Sequence, residues 1–215
     1  MAVYDALRED LFTGVYEPGS KLKIEALRQR YGVGTNLIRE SLARLASDGL
    51  VEAEDQKGFR VTKASATRLA DLTRMRVLLE TDGIQHSLQV GDINWEVNLV
   101  AAHHKLVHIE QRMHEDPDRH LITWQQCDYE FHAALIAACG SQLHCEYHRR
   151  VFDQFRQFIQ LELRTHGFRG TEVVHEHEAI LEAALKRDAA RCAEEIEKHL
   201  GVYLNRIQSG ERAGH

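Results

Sequence analysis

A chain of 215 residues with 43% apolar residues has the material for one or two packed domains, and a net charge of −6 excludes a generally basic nucleic-acid binder. No window of about 18 apolar residues exists, which excludes a membrane-spanning helix. The start has neither a charged n-region nor an apolar h-region, and Cys127, Cys139, Cys145 and Cys192 show no CxxC spacing. Reduced core thiols in a cytoplasmic protein are therefore expected, and a cysteine-based zinc site is not.

Met1 to Asp5 runs directly into an amphipathic helix. Ile24, Leu27 and Tyr31 then fall at helical spacing, and Gly32-Val33-Gly34 stops that helix. A further helix opens at Thr35 and carries Ile38, Leu42 and Leu45, with Gly49 closing it as a C′ residue. Two helices around a short glycine turn form a helix-turn-helix. Leu50–Glu54 and Phe59–Thr62, around Asp55-Gln56-Lys57-Gly58, read as two short strands and a tight turn, which makes a wing.

Double-stranded DNA is the partner such a unit predicts, with a helix in the major groove and a basic wing tip at phosphate or in the minor groove. With Ile38, Leu42 and Leu45 turned to the core, Thr35, Asn36, Arg39 and Ala43 face outward. Thr35 sits at the N-cap or first turn, where backbone amides can bind a phosphate. Asn36 and Arg39 have the paired donors and acceptors that match adenine and guanine edges. The alternative for Arg39, as for Arg28, Arg44 and Arg60, is a solvated or intrahelically paired charge. Residues 1–65 are electrically neutral, so a single copy would hold phosphate weakly. A homodimer on a palindromic operator follows.

Pro18-Gly19-Ser20-Lys21-Leu22, Leu27, Tyr31-Gly32-Val33, Ile38-Arg39-Glu40-Ser41-Leu42, Leu45 and Asp48-Gly49-Leu50-Val51 together resemble the winged helix of the GntR family of bacterial regulators. The match covers about the first 65 residues. It implies DNA contacts for Arg39 and a close approach of the wing glycine, Gly58, to the DNA backbone. Lys57 beside it would reach phosphate. Thr35 stands where the fatty-acid-responsive relatives often have a basic residue, which points to a different operator.

The remainder reads as helix throughout: 67–90, 93–115, 119–139, 142–165, 171–186 and 188–208. Gly91, Pro117, Gly140, Gly167-Phe168-Arg169-Gly170 and Arg187-Asp188 supply the breaks. The expected fold is mostly α: a winged helix-turn-helix over 1–65 and an antiparallel six-helix bundle over 66–215. All 14 histidines lie from His86 onward. Asp128 and His132 share a stripe with Leu135 and Cys139. His177 shares one with Val174, Leu181 and Ala184, and His199 lies between Ile196 and Tyr203. Three imidazoles and a carboxylate on inward stripes suit a divalent metal, Zn²⁺ first, with Ni²⁺ or Mn²⁺ as neighbours in chemistry. The alternative is three core histidines, each bonded to an oxygen. His103, His104 and His108 read as a solvated face, and Phe152, Phe155 and Phe158 as core. His148 shares the stripe of Phe152 and Phe155, so it would line an interior cavity.

Asp128-xxx-His132 with Phe131 between, then Glu176-His177-xx-Ile180-Leu181, Asp188 and His199-Leu200, resembles the ligand-sensing (FCD-type) domain of the FadR group. Six predicted helices rather than seven further resemble its VanR-like subgroup. The resemblance implies that Asp128, His132, His177 and His199 hold a metal whose shell a carboxylate effector completes. Arg76 matches a family position that points into the effector cavity, where a guanidinium pairs with carboxylate in two-pronged fashion. Its alternative is an ion pair with Glu80 one turn on. The segment Glu54–Val61 and the sensor resemble, more loosely, carbon-starvation-induced regulators that respond to glutarate.

A cytoplasmic, homodimeric repressor released by a small organic acid is the function these readings imply. Two others stand beside it: a direct metal sensor, and a zinc-dependent hydrolase. The hydrolase lacks the HExxH-type pairing of a general base with two ligands, since Glu176 precedes His177 without a second ligand at that spacing.

Overall fold

The computed structural model describes residues 3–54 and 57–213, with side chains described as far as residue 204. In chain order the elements are α1 (Val3–Phe12), β1 (Lys21–Leu22), α2 (Ile24–Tyr31), α3 (Thr35–Ser47), β2 (Val51–Glu54) and β3 (Gly58–Val61). Then come α4 (Ala66–Val90), α5 (Ile93–Met113), α6 (Pro117–Leu135), α7 (Gln142–His166), α8 (Thr171–Leu185) and α9 (Ala189–Ala213). A winged helix-turn-helix followed by six long helices is the architecture the sequence patterns predict.

α2 ends where Gly32 turns left-handed (φ 65°) and returns its N–H to Arg28 O. α3 starts after Gly34, so Thr35 is its first helical residue and not its cap. Ile38, Leu42 and Leu45 pack against Leu7, Leu11 and Phe12 of α1 and against Leu27, Leu50 and Val61, all of them buried. The wing strands pair antiparallel, Val51 opposite Val61 and Glu54 opposite Gly58. The sequence patterns miss β1, which adds a third strand on the outer side of β3 through Lys21 and Leu22. Two residues are too few to show any alternation. Asp55 and Gln56, the first half of the expected wing turn, lie outside the described residues.

Five of the six bundle helices begin on side-chain caps, and α8 begins after Gly170 without one. Ser65, Asp92, Asp116 and Ser141 each accept from the backbone N–H three residues on, and Asp188 does the same for Arg191 before α9. Asp116 explains one correction. Pro117 does not lie in the break before a helix but opens α6, where proline's fixed φ suits the first turn and its missing N–H is not needed. Leu69, Ile84, Leu99, Leu106, Phe131, Leu135, Phe155, Ile180, Ile196 and Leu200 form the bundle core. His103 leaves the solvated face assigned to it: its ring is half-buried and lies 5.4 Å from that of Phe131.

α4 packs against α6, α7 and α9. At Gly83 the corner between α6 and α7 sits directly on this helix, so that a Cβ there would lie 2.8 Å from Ile136 and 2.9 Å from His144. His144 in turn bonds Leu79 O through Nε2 at 2.7 Å. No helix among the described residues is long and apolar enough to cross a membrane.

Candidate metal centre and DNA-reading surface

Three helices bring four donors to one point. Asp128 and His132 stand one turn apart on α6, His177 comes from α8 and His199 from α9. Their ligand atoms lie within 4.8 Å of one another, and all four residues are buried. The His177 and His199 rings are 4.7 Å apart, and those of His132 and His199 are 5.3 Å apart and stacked.

Each imidazole is held from behind by a carboxylate on another helix. His132 Nδ1 donates to Glu80 Oε2 at 2.7 Å, His177 Nδ1 to Glu110 Oε1 at 2.9 Å, and His199 Nδ1 to Glu176 Oε2 at 2.8 Å. A carboxylate accepts, so it places the proton on Nδ1 and aims the Nε2 lone pair inward. The Nε2 atoms of His132 and His177 are buried without a hydrogen-bond partner, at 3.7 and 3.4 Å from Asp128 Oδ1. A buried nitrogen left so is costly. Lone pairs converging beside a carboxylate fit a divalent cation.

Charge leads to the same fit. With neutral imidazoles, Asp128, Glu80, Glu110 and Glu176 outnumber Arg76 and Arg169 by two negative charges in this buried region, which a divalent ion would cancel. The excess is visible in the titration of the groups themselves. Burial opposes protonation of His177, yet Glu110 and Asp128 raise it to about 9. Burial brings His199 down to about 3 against the pull of Glu176. Asp128 resists the upward push of burial and stays below the usual carboxylate range through His177 and His132. Glu80 is lowered in the same way by Arg76 and His132, and Glu176 falls to about 2 through His199 and Arg169.

The three glutamates were not found by sequence reasoning. A weak signal existed at Glu110, an acid on the apolar stripe of Leu106, Ile109 and Met113, where only a partnered charge survives. Glu80 was visible solely as a pairing alternative for Arg76, and Glu176 solely as a neighbour of His177.

Arg76 is buried, not at the surface, and its Nε donates to Glu80 Oε1 at 2.8 Å. Its guanidinium also lies 4.1 Å from the centre of the Phe152 ring. The pairing alternative thus describes its bond, while the burial puts it beside the ring of donors. His148 Nε2 meets the same Glu80 oxygen at 3.2 Å, and its Nδ1 is buried without a partner. Outside the ring, a groove of about 450 Å³ runs between α8 and α9, lined by Arg169, Glu176, Arg191 and Lys198 among others. It approaches the carboxylate behind His199.

On the N-terminal unit, Thr35, Asn36, Arg39 and Ala43 are exposed on α3, and Lys57 is exposed at the wing tip next to Gly58 (φ 94°). Leu37 is also exposed there, an apolar surface suited to a thymine methyl that the sequence reading passed over. The other basic residues weighed are engaged: Arg28 with Glu25, Arg60 with Glu54 and Gly19 O, and Arg44 over the Tyr4 ring.

A winged helix-turn-helix joined to a helical bundle with a buried donor ring is the build of a DNA-binding transcription regulator. Residues 1–61 match "Bacterial regulatory proteins, gntR family" and residues 71–202 match the FCD domain. The chain belongs to the GntR family, in its FCD-domain branch. It is 34% identical to the uncharacterised HTH-type transcriptional regulator BphR of Paraburkholderia xenovorans (strain LB400), over 93% of this chain and 81% of that protein. It is 31% identical to the HTH-type transcriptional repressor GlaR of Escherichia coli (strain K12), over 95% and 94%. Its fold is similar to that of E. coli McbR/YncC (TM-score 0.77, 18% identity, 95% and 96% covered) and of a GntR regulator from Rhodococcus sp. RHA1 (TM-score 0.76, 21% identity, 96% of each). The family is one of regulators and not of enzymes, so the zinc hydrolase is set aside.

Proposed function

We propose that this regulator is a repressor whose hold on DNA is released by a small organic acid bound at a divalent metal, Zn²⁺ first and Ni²⁺ or Mn²⁺ after it. The observation that carries the reading is the ring of Asp128, His132, His177 and His199, its three imidazoles each backed by a glutamate. Those four side chains would hold the ion, and the ion would supply a fixed positive charge at the centre of the buried ring. Arg76 and His148, both next to Glu80, would receive the rest of the acid. Thr35, Asn36, Arg39, Lys57 and Gly58 would form the DNA surface of the 1–65 unit, and 66–215 would form the sensor. A homodimer on a palindromic operator in the cytoplasm completes the reading. Support for a second copy comes from Ile93, Val97 and Val100, apolar and exposed at helical spacing on α5.

An acid regulates only if it binds the DNA-incompetent arrangement better, typically by about 1–3 kcal/mol. The test is a panel of mono- and dicarboxylic acids titrated into metal-loaded protein on an operator duplex selected from random DNA. Release by one acid, abolished by chelation, is the expected result. Release by metal alone would put a direct metal sensor in its place, and release by an acid after complete chelation would end the metal-anchored mechanism.

Glu110→Gln probes the carboxylates. Shape is kept and the charge behind His177 is lost, so metal affinity should fall about 10–100-fold. Competition with a chromogenic chelator reads this directly, with helicity as the control. An unchanged affinity would leave Glu110 without a role in holding the ion.

A further inference from the structure

In its first half α7 packs Phe152 against His132 of the donor ring, with ring centroids 5.8 Å apart, and bonds Glu80 through His148; in its second half it runs along the N-terminal unit. There its polar side chains end on main-chain carbonyls. Gln154 Nε2 donates to Asp48 O at 3.0 Å, and Gln157 Nε2 donates to Leu50 O at 3.2 Å. Arg68, in the first turn of α4, donates to the carbonyl between them, Gly49 O, at 3.0 Å and to Gln154 Oε1 at 2.7 Å. Thr62 takes second positions on Gly49 O and Leu50 O. Three consecutive carbonyls just past the end of α3 are thus engaged by donors from the bundle. Further along α7, Gln160 and Arg164 both donate to Thr13 O, just past the end of α1, at 3.4 and 3.1 Å. Arg8 of α1 pairs with Asp153 at 2.5 Å.

Carbonyls just past the end of a helix lie at the negative end of its dipole, so amide and guanidinium donors are favourable there. The backbone makes room for them. Gly49 (φ 78°) and Gly14 (φ 69°) are both left-handed, and a Cβ at either would lie 2.7 Å from the amide of Gln154 or 2.4 Å from that of Gln160. Gln157 is itself 6% exposed, so an unpaired amide at that position would be buried away from water.

We infer that Arg68, Gln154 and Gln157 are positioning residues for DNA reading: they hold the end of α3 on the bundle, so α4 and α7 set the angle at which α3 is presented. The same α7 carries His148, which bonds the carboxylate behind His132. The element that fastens the reading helix is therefore the element that touches the ring. The inference assumes that α3 reads DNA, and it is independent of which metal or acid the bundle takes.

The test uses full-length protein carrying Gln154→Met and Gln157→Met together, which keeps length and bulk and removes the donors. Hydrogen exchange over residues 46–52 should speed up at least tenfold while α5 exchanges as in the parent. Affinity for the selected operator duplex should fall several-fold. Unchanged exchange over 46–52 would overturn the inference, and so would faster exchange with parental operator affinity. The Gln154→Ala/Gln157→Ala pair should behave like the methionine pair; loosening in the alanine pair alone would mean that bulk, and not hydrogen bonding, fastens α3. Loss of operator affinity in Arg39→Ala reports on the reading helix separately, so the two failures can be told apart.

Discussion

His177→Ala and His199→Ala should each take the metal content of purified protein from about one divalent ion per chain to near zero. The two should differ in what else they cost. Among the described residues Glu110 has no other charged partner, so His177→Ala leaves a fully buried carboxylate alone, a change that typically costs about 3–5 kcal/mol. Glu176 keeps Arg169 when His199 is lost, so that variant should fold more readily. Free metal at about a hundredfold over its Kd should stabilise the parent by about 2.7 kcal/mol, and it should do nothing for either variant. Elemental analysis and thermal melts with and without chelator measure both effects. Parental metal content in His199→Ala would return the ring to the status of ordinary core histidines.

Arg39→Ala should weaken operator binding by about 1–3 kcal/mol and relax the base preference at one position per half-site. The structure favours this assignment because Arg39 is exposed on the outward face of α3, whereas Arg28 and Arg60 are paired with acids. Lys57→Ala should act differently. Its charge at the wing tip meets phosphate and not bases, so all sequences weaken alike and the salt slope drops by about one. Affinity measured over a salt series on operator and scrambled duplexes separates the two. An Arg39→Ala protein that binds as tightly and as selectively as the parent would mean that another face of α3 reads DNA.

What could be read in advance follows the range of the forces involved. Gly32, Gly34 and Gly49 bracket two short amphipathic periods, so α2 and α3 are local facts of the sequence. The bundle helices were equally plain, because caps and glycines separate long apolar stripes. Pro117 misled because proline both ends and opens helices, and only Asp116 before it decides which. The four inward donors were legible, since each lies on a stripe with apolar neighbours. Their glutamate partners were not: Glu80 and His132 are 52 positions apart, and Glu110 and His177 are 67 apart. No periodicity joins residues at such separations. The same holds for Gln154 and Gln157, which look in sequence like the solvated side of an amphipathic helix and in the fold end on carbonyls of the other unit.

Gly83 bears no chemistry, yet the corner it admits decides where α6 carries His132 relative to Glu80. Glycine in a helix interior gives up about 1 kcal/mol against alanine. Alanine at 83 would recover that propensity and at the same time press a methyl group against Ile136 and His144. Helix preference and ring alignment therefore pull in opposite directions at this position. A search for more stable variants would be drawn toward replacing Gly83, and the gain in α4 would be taken from the register of the donors one turn away.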